Sequence, residues 1–178
     1  MIISVWPNQQ NNVSAARDGQ LQWQDHVVRC AIGRGGINNQ KQEGDGRTPI
    51  GKFMLRRVFY RPDRLDKPTT SLTVMPLQLD MGWCDDPTHP AYNTLIYQPF
   101  SAGHEQLWRA DTLYDVIVEL GYNDDPIIPR HGSAIFLHVA HPQYQPTEGC
   151  VAITLTDLLT LLEHCDQHTL LAIHDEAP

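Results

Sequence analysis

Short apolar segments, rich in β-branched side chains and separated by turn residues, follow one another along most of the chain. Such segments predict β-strands, and the turn signals Asn11-Asn12 and Arg17-Asp18-Gly19 separate the first of them. The predicted strands are residues 2–6, 21–23, 26–32, 53–60, 114–120, 134–140 and 170–174. This pattern indicates a chain built mainly from short strands.

One segment near the C-terminus has the spacing of an α-helix. Leucines recur at positions 158, 159, 161 and 162 behind the candidate N-caps Thr154 and Thr156, which predicts a helix over residues 156–165. Strands do not alternate with helices, so parallel βαβ units are not expected. The sequence therefore predicts a mainly β, single β-sandwich-like domain over residues 1–178 with one clear C-terminal helix.

The stretches between the predicted strands carry local signals of their own. Residues 33–49 are rich in glycine and polar side chains and predict a loop. Residues 72–79 are apolar but interrupted by a proline, which indicates an edge strand or a strand end. Residues 82–93 predict a loop with Cys84 exposed in it, and residues 105–109 predict a helical turn.

Composition and charge narrow the classes of function. The 178 residues are 41% hydrophobic and carry a net charge of −8, which disfavours nucleic acid as a partner because that binding depends on clustered lysine and arginine. No apolar run is long enough to predict a transmembrane helix. Met1–Pro7 lacks the features of a secretory signal, which leaves export by another route, a trimmed N-terminus or a cytoplasmic location open.

Basic side chains gather in one stretch of this acidic chain. A solvated protein surface is the simpler interpretation of that stretch. A carboxylate-binding patch for an anionic substrate is the alternative, because arginine binds carboxylates with two parallel hydrogen bonds. The residues concerned are Arg56, Arg57, Arg61, Arg64 and Lys67.

Residues 133–152 carry the strongest chemical signal. An apolar strand contains His138, and the Gly149-Cys150 pair opens the next apolar run. Glycine adopts positive φ without steric cost, so a tight turn there can present the sulfur and nearby backbone N–H groups to a carbonyl. A histidine within reach can take the thiol proton. This combination predicts a cysteine acyltransferase.

The negative charge near Cys150 affects the ionisation of its thiol. Glu148 and the net negative charge disfavour the thiolate of Cys150, so a compensating positive charge is expected. A His138 imidazolium in contact with the sulfur is the predicted source of that charge. The partner that orients His138 stays open between Ser133, Asp115 and a backbone carbonyl.

A metal site is the alternative use of the histidines, with His131, His138, His141 and Cys150 as candidate ligands. Residues i and i+3 of a strand face opposite sides, so His138 and His141 do not point at one ion unless the chain bends between them. No ligand spacing of the CxxC or HExxH kind is present. Neither a metal nor a cofactor is predicted.

The remaining cysteines and several aromatic residues have more than one interpretation. Cys30 and Cys165 lie in apolar patterns and are expected to be small core side chains. Disulfide pairing among Cys30, Cys84 and Cys165 stays open. The aromatic candidates for a substrate groove, with core packing as the alternative, are Trp83, Trp108 and Tyr144.

Two motifs resemble the signatures of the YkuD-type L,D-transpeptidases. They are Thr48-Pro49-Ile50-Gly51-Lys52-Phe53 and Thr147-Glu148-Gly149-Cys150-Val151, with a strand histidine between them. The resemblance extends from about residue 27 to the closing strand. It implies a β-sandwich catalytic domain in which Cys150 is the nucleophile, His138 is the base, and Thr147 and Gly149 shape the motif turn.

The resemblance implies a peptidoglycan L,D-transpeptidase without a cofactor. The cysteine would attack an L-centre carbonyl of a donor stem peptide and pass the acyl group to the amine of a diaminopimelate-bearing acceptor stem. The periplasm or cell envelope is the location expected from the family. A hydrolase of stem peptides or lipoprotein linkages and, from another class, a non-catalytic wall-binding β-domain are the alternatives.

Three features depart from the usual family pattern. Glu148 stands where a histidine is frequent, Ala152 stands where an arginine is common, and the spacing from His138 to Cys150 is short. The segments 61–64, 83–87 and 107–111 look like a compact branch associated with cross-links through L-alanine at the first position of the donor stem, or 1–3 cross-links. The implied substrate contacts are Arg61, Arg64, Asp85, Asp86, Trp108 and Arg109.

Overall fold

The computed structural model describes residues 1–8 and 18–177. Its helix is α1, Leu155–Glu163. The strands are β1 Ile2–Pro7, β2 Asp18–Trp23, β3 His26–Ala31, β4 Ile37–Asn38, β5 Thr48–Pro49, β6 Gly51–Tyr60, β7 Thr73–Pro76, β8 Met81–Cys84, β9 Leu95–Tyr97, β10 His104–Gln106, β11 Val116–Leu120, β12 Phe136–Val139, β13 Val151–Ile153 and β14 Leu170–Ile173. The predicted class, mainly β with one clear helix, is confirmed for the described residues.

The large sheet closes on itself. Its nine strands run in the order β11-β12-β13-β3-β2-β1-β14-β6-β7, and β11 also pairs with β6. Every strand of this sheet except β7 therefore belongs to a continuous ring. Strand β7 pairs with β6 alone and ends at Pro76, as expected for a proline, which cannot donate to a strand ladder.

The helix closes one part of the main hydrophobic core. Thr154 caps it by accepting a hydrogen bond from the N–H of Asp157, and Leu158, Leu161 and Leu162 are buried. These leucines pack with apolar residues from the strands of the ring, including Ile3. The helix predicted over residues 156–165 is confirmed. It begins one residue earlier than predicted because Thr154 is the N-cap, and it ends two residues earlier.

Strand β12 separates two hydrophobic clusters, because successive side chains of a strand point to opposite faces. Leu137 and Val139 join the main core. Phe136 belongs to a second cluster, which the small sheet β10-β8-β9 helps to form through Trp83. His138, two residues after Phe136, lies on the same face as Phe136. The strand therefore holds this histidine on the face where Phe136 packs against Trp83 of the small sheet.

Several local predictions were wrong. Residues 105–109 do not begin a helical turn: His104–Gln106 is β10 and pairs with β8. Cys84 is buried in β8 rather than exposed in a loop. The glycine-rich stretch 33–49 contains the paired short strands β4 and β5. The predicted turn at Asn11-Asn12, and Arg17 of the second turn signal, lie outside the described residues.

All four cysteines are buried as free thiols. In residues 1–8 and 18–177, no helix has the length and apolar character needed to cross a membrane.

Asn93 joins the small sheet to the large one. Its backbone φ is 56°, a left-handed conformation that asparagine tolerates better than most residues. Its Oδ1 accepts hydrogen bonds from Trp83 Nε1 at 2.9 Å and from the Ala134 N–H at 3.1 Å. Its Nδ2 donates to the Tyr122 and Asn123 carbonyls at 3.0 and 2.8 Å. One buried side chain thus satisfies four polar groups from three segments.

We predict that Asn93→Ala lowers the free energy of unfolding by about 2–4 kcal/mol, because it leaves buried donors and acceptors without partners. Urea unfolding followed by circular dichroism measures the change. Asn39→Ala is the matched control, since Asn39 is exposed, and should change stability by no more than about 0.5 kcal/mol. A loss below about 1 kcal/mol for Asn93→Ala contradicts the linking role.

Candidate active site

A tight turn presents Cys150. Gly149 has a φ of 135°, and a Cβ built on it would lie 2.7 Å from the Arg47 carbonyl oxygen, so only glycine fits there. Thr147 Oγ1 donates to the Cys150 carbonyl at 2.6 Å and accepts from the Gly149 N–H at 3.1 Å. The turn is therefore closed by its own threonine.

The two sequence motifs meet at residues 32–34. The Thr147 N–H donates to the Ile32 carbonyl at 2.9 Å, and the Arg34 N–H donates to the Thr147 carbonyl at 2.8 Å. The Gly33 N–H donates to Thr48 Oγ1 at 2.8 Å. Thr48 and Thr147, far apart in sequence, thus hold opposite sides of the same short segment. This gives a physical reason for the two motifs to occur together.

The sulfur of Cys150 is engaged with strand β12 and the residues before it. Its thiol donates to the Ala134 carbonyl at 3.2 Å, and the Phe136 N–H approaches the sulfur at 3.4 Å. Ala134 has a φ of 51° and is held by Asn93. The thiol proton is directed at a backbone carbonyl, and within the described residues no hydrogen bond joins the sulfur to His138, where contact with an imidazolium was expected.

His138 is oriented by a backbone carbonyl. Its Nδ1 lies 2.9 Å from the Val139 carbonyl oxygen, which only accepts, so Nδ1 carries the proton and Nε2 is left to act as a base. The other two candidate partners are occupied, since Ser133 donates to Glu43 and Asp115 accepts from Arg64.

Burial keeps both reactive groups neutral. Burial raises the pKa of the Cys150 thiol to about 12, and the nearby negative charge of Glu105 adds to the effect. Burial lowers the pKa of His138 to about 4, against smaller opposing contributions from the hydrogen bonds with the Val139 and Leu113 backbone. The resting pair is a thiol and an imidazole rather than an ion pair.

Glu148 contributes less to this electrostatic balance than its position in the sequence indicates. Its carboxylate accepts two hydrogen bonds from Arg34 Nε, at 2.9 and 2.7 Å, and the two side chains are 76% and 50% exposed. An exposed charge paired in this way is screened by solvent. Glu148 therefore affects the Cys150 pKa less than Glu105 does, and Glu105 is the charge with the largest effect on that pKa.

Cys150 and His138 share a cavity of about 500 Å³ with Thr147. Its wall also contains acidic and basic side chains that sequence reasoning missed, because they come from separate loops and belong to no motif. Tyr114 was missed as well, although it starts the segment predicted as a strand over 114–120. The missed residues are Lys41, Glu43, Glu105 and Tyr114.

Of the implied substrate contacts, Asp85 and Arg109 lie in the cavity wall. Arg109 forms an ion pair with Asp111 at 2.5 Å. Burial raises the pKa of Asp85, and the charge of Glu43 adds to that rise. Of the implied contacts, these two side chains are therefore placed to reach a substrate bound in the cavity.

Arg61 and Arg64 lie outside the cavity wall, Arg61 buried and Arg64 exposed, and their role as substrate contacts stays a prediction. The Arg61 guanidinium is buried and donates to the Arg109 carbonyl at 2.5 Å. Arg64 donates to the Ala110 carbonyl at 2.9 Å and pairs with Asp115 at 2.5 Å. The two arginines therefore fix the segment that carries Arg109.

The remaining predicted substrate contacts also lie outside the cavity wall, and each has a packing or hydrogen-bond partner of its own. Trp83 is buried in the second hydrophobic cluster. Trp108 packs under the guanidinium of Arg61, whose carbon lies 3.9 Å from the ring centroid. Asp86 accepts from the Thr88 N–H and hydroxyl, at 2.9 and 2.7 Å. Tyr144 packs under Arg29 at 4.4 Å.

The candidate metal ligands are divided between two places. His141 lies in the same cavity wall as His138 and Cys150, whereas His131 borders a separate groove. Across residues 1–8 and 18–177, no group of three or more histidine, cysteine, aspartate or glutamate side chains has an arrangement that could hold a metal ion.

Comparison with known proteins agrees with this geometry. The family model YkuD, described as the L,D-transpeptidase catalytic domain, matches residues 2–173. No curated protein and no solved structure matches the chain. The prediction of a single domain over residues 1–178 stays a prediction. Because the match spans nearly the whole chain and includes the Gly149-Cys150 turn and His138, this protein belongs to the YkuD family of L,D-transpeptidase catalytic domains.

Proposed function

We propose that this protein is a peptidoglycan L,D-transpeptidase that works through an acyl-enzyme on Cys150. The carrying observation is that a cysteine on a glycine turn and a neutral histidine with an available Nε2 share one cavity. A nucleophile and a base in one recess, in a family that acts on peptidoglycan stem peptides, are what acyl transfer requires.

The first half-reaction begins with the thiol proton. The thiol leaves the Ala134 carbonyl and gives its proton to His138 Nε2, while the sulfur attacks an L-centre carbonyl of the donor stem. The oxyanion is stabilised by the Cys150 N–H, because the Gly149 N–H is already engaged by Thr147. When the C–N bond breaks, the leaving amine takes the proton from His138, and a thioester remains.

The second half-reaction reverses these proton transfers. The amine of a diaminopimelate-bearing acceptor attacks the thioester carbonyl, and His138 Nε2 accepts a proton from that amine. The C–S bond then breaks, and the departing sulfur takes the proton back as a thiol. The products are a new amide bond between two stems and the resting, neutral enzyme.

We further propose that the donor is cleaved at its first, L-alanine position, which gives 1–3 cross-links. The support is the resemblance of three short segments to a compact branch of the family, together with two of the implied contacts, Asp85 and Arg109, in the cavity wall. Arg109 would face an anionic group of the stem, and Asp85 a cationic one. The cell envelope, where stem peptides lie, is the proposed location.

We predict that Cys150 of the wild-type protein gains the mass of a stem-peptide acyl group during incubation with purified muropeptides, and of an intact carbapenem in a separate reaction. Intact-protein mass spectrometry measures both adducts, and liquid chromatography of the muropeptides measures the cross-linked product. Cys150→Ala is the control and should give neither an adduct nor turnover.

The products distinguish the alternatives. A cross-linked dimer with a wild-type adduct supports the transpeptidase, and fragmentation of that dimer identifies the residue acylated in the donor. An adduct with only shortened monomers would replace the transpeptidase with a hydrolase. Bound muropeptide without any adduct would favour the wall-binding domain.

We also predict that the free enzyme alkylates slowly near neutral pH. Because Cys150 and His138 are both neutral, the rate with iodoacetamide should rise about tenfold per pH unit from about pH 7 to about pH 10. A rate that is already fast and level near neutrality indicates a thiolate–imidazolium pair and contradicts this assignment. Peptide mapping resolves Cys150 from the other three thiols.

His138→Ala separates nucleophile ionisation from proton transfer. We predict a loss of turnover of about 10²-fold or more, as expected for removal of a general base, with little change in the slow alkylation of the free enzyme. Turnover is measured from the rate of muropeptide consumption. Near-normal turnover in this variant would exclude His138 as the base.

A further inference from the structure

Glu105 lies in the same cavity wall as the nucleophile, on a different sheet. It belongs to β10, which pairs with β8, and Trp83 of β8 packs against Phe136 on the face of β12 that also carries His138. Its carboxylate accepts a hydrogen bond from the Tyr114 hydroxyl at 2.5 Å. The reaction proposed above assigns no step to either side chain.

Tyr114 connects this carboxylate to the reactive pair. Its ring packs edge-on against His138, with ring centroids 5.2 Å apart, and against Phe136 at 6.2 Å. Tyr114, Phe136 and Cys150 belong to one hydrophobic cluster. The Phe136 N–H is in turn the group that approaches the Cys150 sulfur. Glu105, Tyr114 and Cys150 are thus held together by packing around a single strand.

Burial raises the pKa of Glu105, whereas the Tyr114 hydrogen bond and the charge of Arg109 favour its carboxylate form. The two cations of the cavity wall also have carboxylate partners of their own. Arg109 pairs with Asp111 at 2.5 Å, and Lys41 pairs with Asp45 at 2.7 Å. The acidic neighbours Asp85 and Glu43 add negative charge to the same cavity. The charged and titratable groups that line the cavity with Cys150 come from several elements: Glu105 from β10, Tyr114 from the segment before β11, His138 from β12 and His141 after it, Lys41 and Glu43 from the 39–46 loop, Asp85 after β8, Arg109 after β10, and Glu148 from the cysteine's own turn.

We propose that Glu105, held in place by Tyr114, is a positioning residue whose charge adds to burial in keeping the Cys150 thiol protonated until a substrate carbonyl is in place. This inference rests on the proposed function of Cys150. A negative charge inside a partly desolvated cavity acts on a neighbouring thiol more strongly than an exposed one does. A thiol held in this way reacts slowly with electrophiles and oxidants, because the thiolate is the reactive form.

Removal of the Glu105 charge should therefore make the free nucleophile more reactive. Glu105→Gln keeps the size of the side chain and an oxygen that can accept from Tyr114. Below the thiol pKa, the alkylation rate follows the thiolate fraction, so the displacement of the rate profile along the pH axis measures the change. We predict a displacement to lower pH by about half a unit or more, or about threefold faster alkylation at a given pH.

Glu148→Gln is the matched control, since it removes the same charge from the exposed side of the same cavity. Its displacement should be less than half of that for Glu105→Gln, because Glu148 is exposed and already paired with Arg34. If Glu105→Gln fails to fold, Glu105→Ser is the second neutral variant, and it should also displace the profile to lower pH. Circular dichroism and thermal unfolding verify the fold of each variant.

The inference would be overturned if the pH profiles of Cys150 alkylation coincide for wild type and the neutral Glu105 variants. It would also be overturned if the substitutions at positions 105 and 148 displace the profile equally. The muropeptide reaction of the wild-type enzyme separates this result from the proposed function. If wild-type Cys150 forms an adduct but the pH profiles of alkylation coincide, the acyl-enzyme stands and the role of Glu105 is excluded. No adduct in the wild type removes the acyl-enzyme and with it the role of Glu105 in the reaction.

Discussion

The close approach of Gly149 to the Arg47 carbonyl is the constraint on which the rest of the site depends. At 2.7 Å, a Cβ would overlap that oxygen, so the backbone reaches this position only as glycine and only with positive φ. The Thr147 hydroxyl then closes the turn, and Cys150 follows with its direction fixed. A displacement of either segment would move the sulfur.

The closed strand ring supplies the second constraint. Because β12 is paired on both sides, its alternation is rigid: Leu137 and Val139 anchor it in the main core, and His138 has to point towards the small sheet. His138 and Cys150 are both buried there, and burial keeps them neutral. Packing and acid–base behaviour at this site therefore have the same origin.

Local chemistry made much of the fold and the centre of the site predictable from sequence. The strand segments, the capped helix and the Gly149-Cys150 turn each have a signal within a few residues. Long-range partners have no such signal, so the four bonds of Asn93 and the place of Glu105 could not be found. The Val139 carbonyl beside His138 is local, and a backbone carbonyl was one of three partners that the sequence left open. The basic stretch likewise gave no sign that the Arg61 guanidinium is buried and donates to the Arg109 carbonyl.

Two carboxylates near one sulfur show why sequence distance is a poor measure of electrostatic effect. Glu148 is two residues from Cys150, yet its charge lies in solvent and is paired with Arg34. Glu105 is far away in sequence, yet the small sheet carries it into the cavity, where fewer water molecules screen it. The protonation state of the nucleophile therefore depends on how the small sheet covers the large one. A loop that changed this cover would change the chemistry without altering any residue of the cysteine motif.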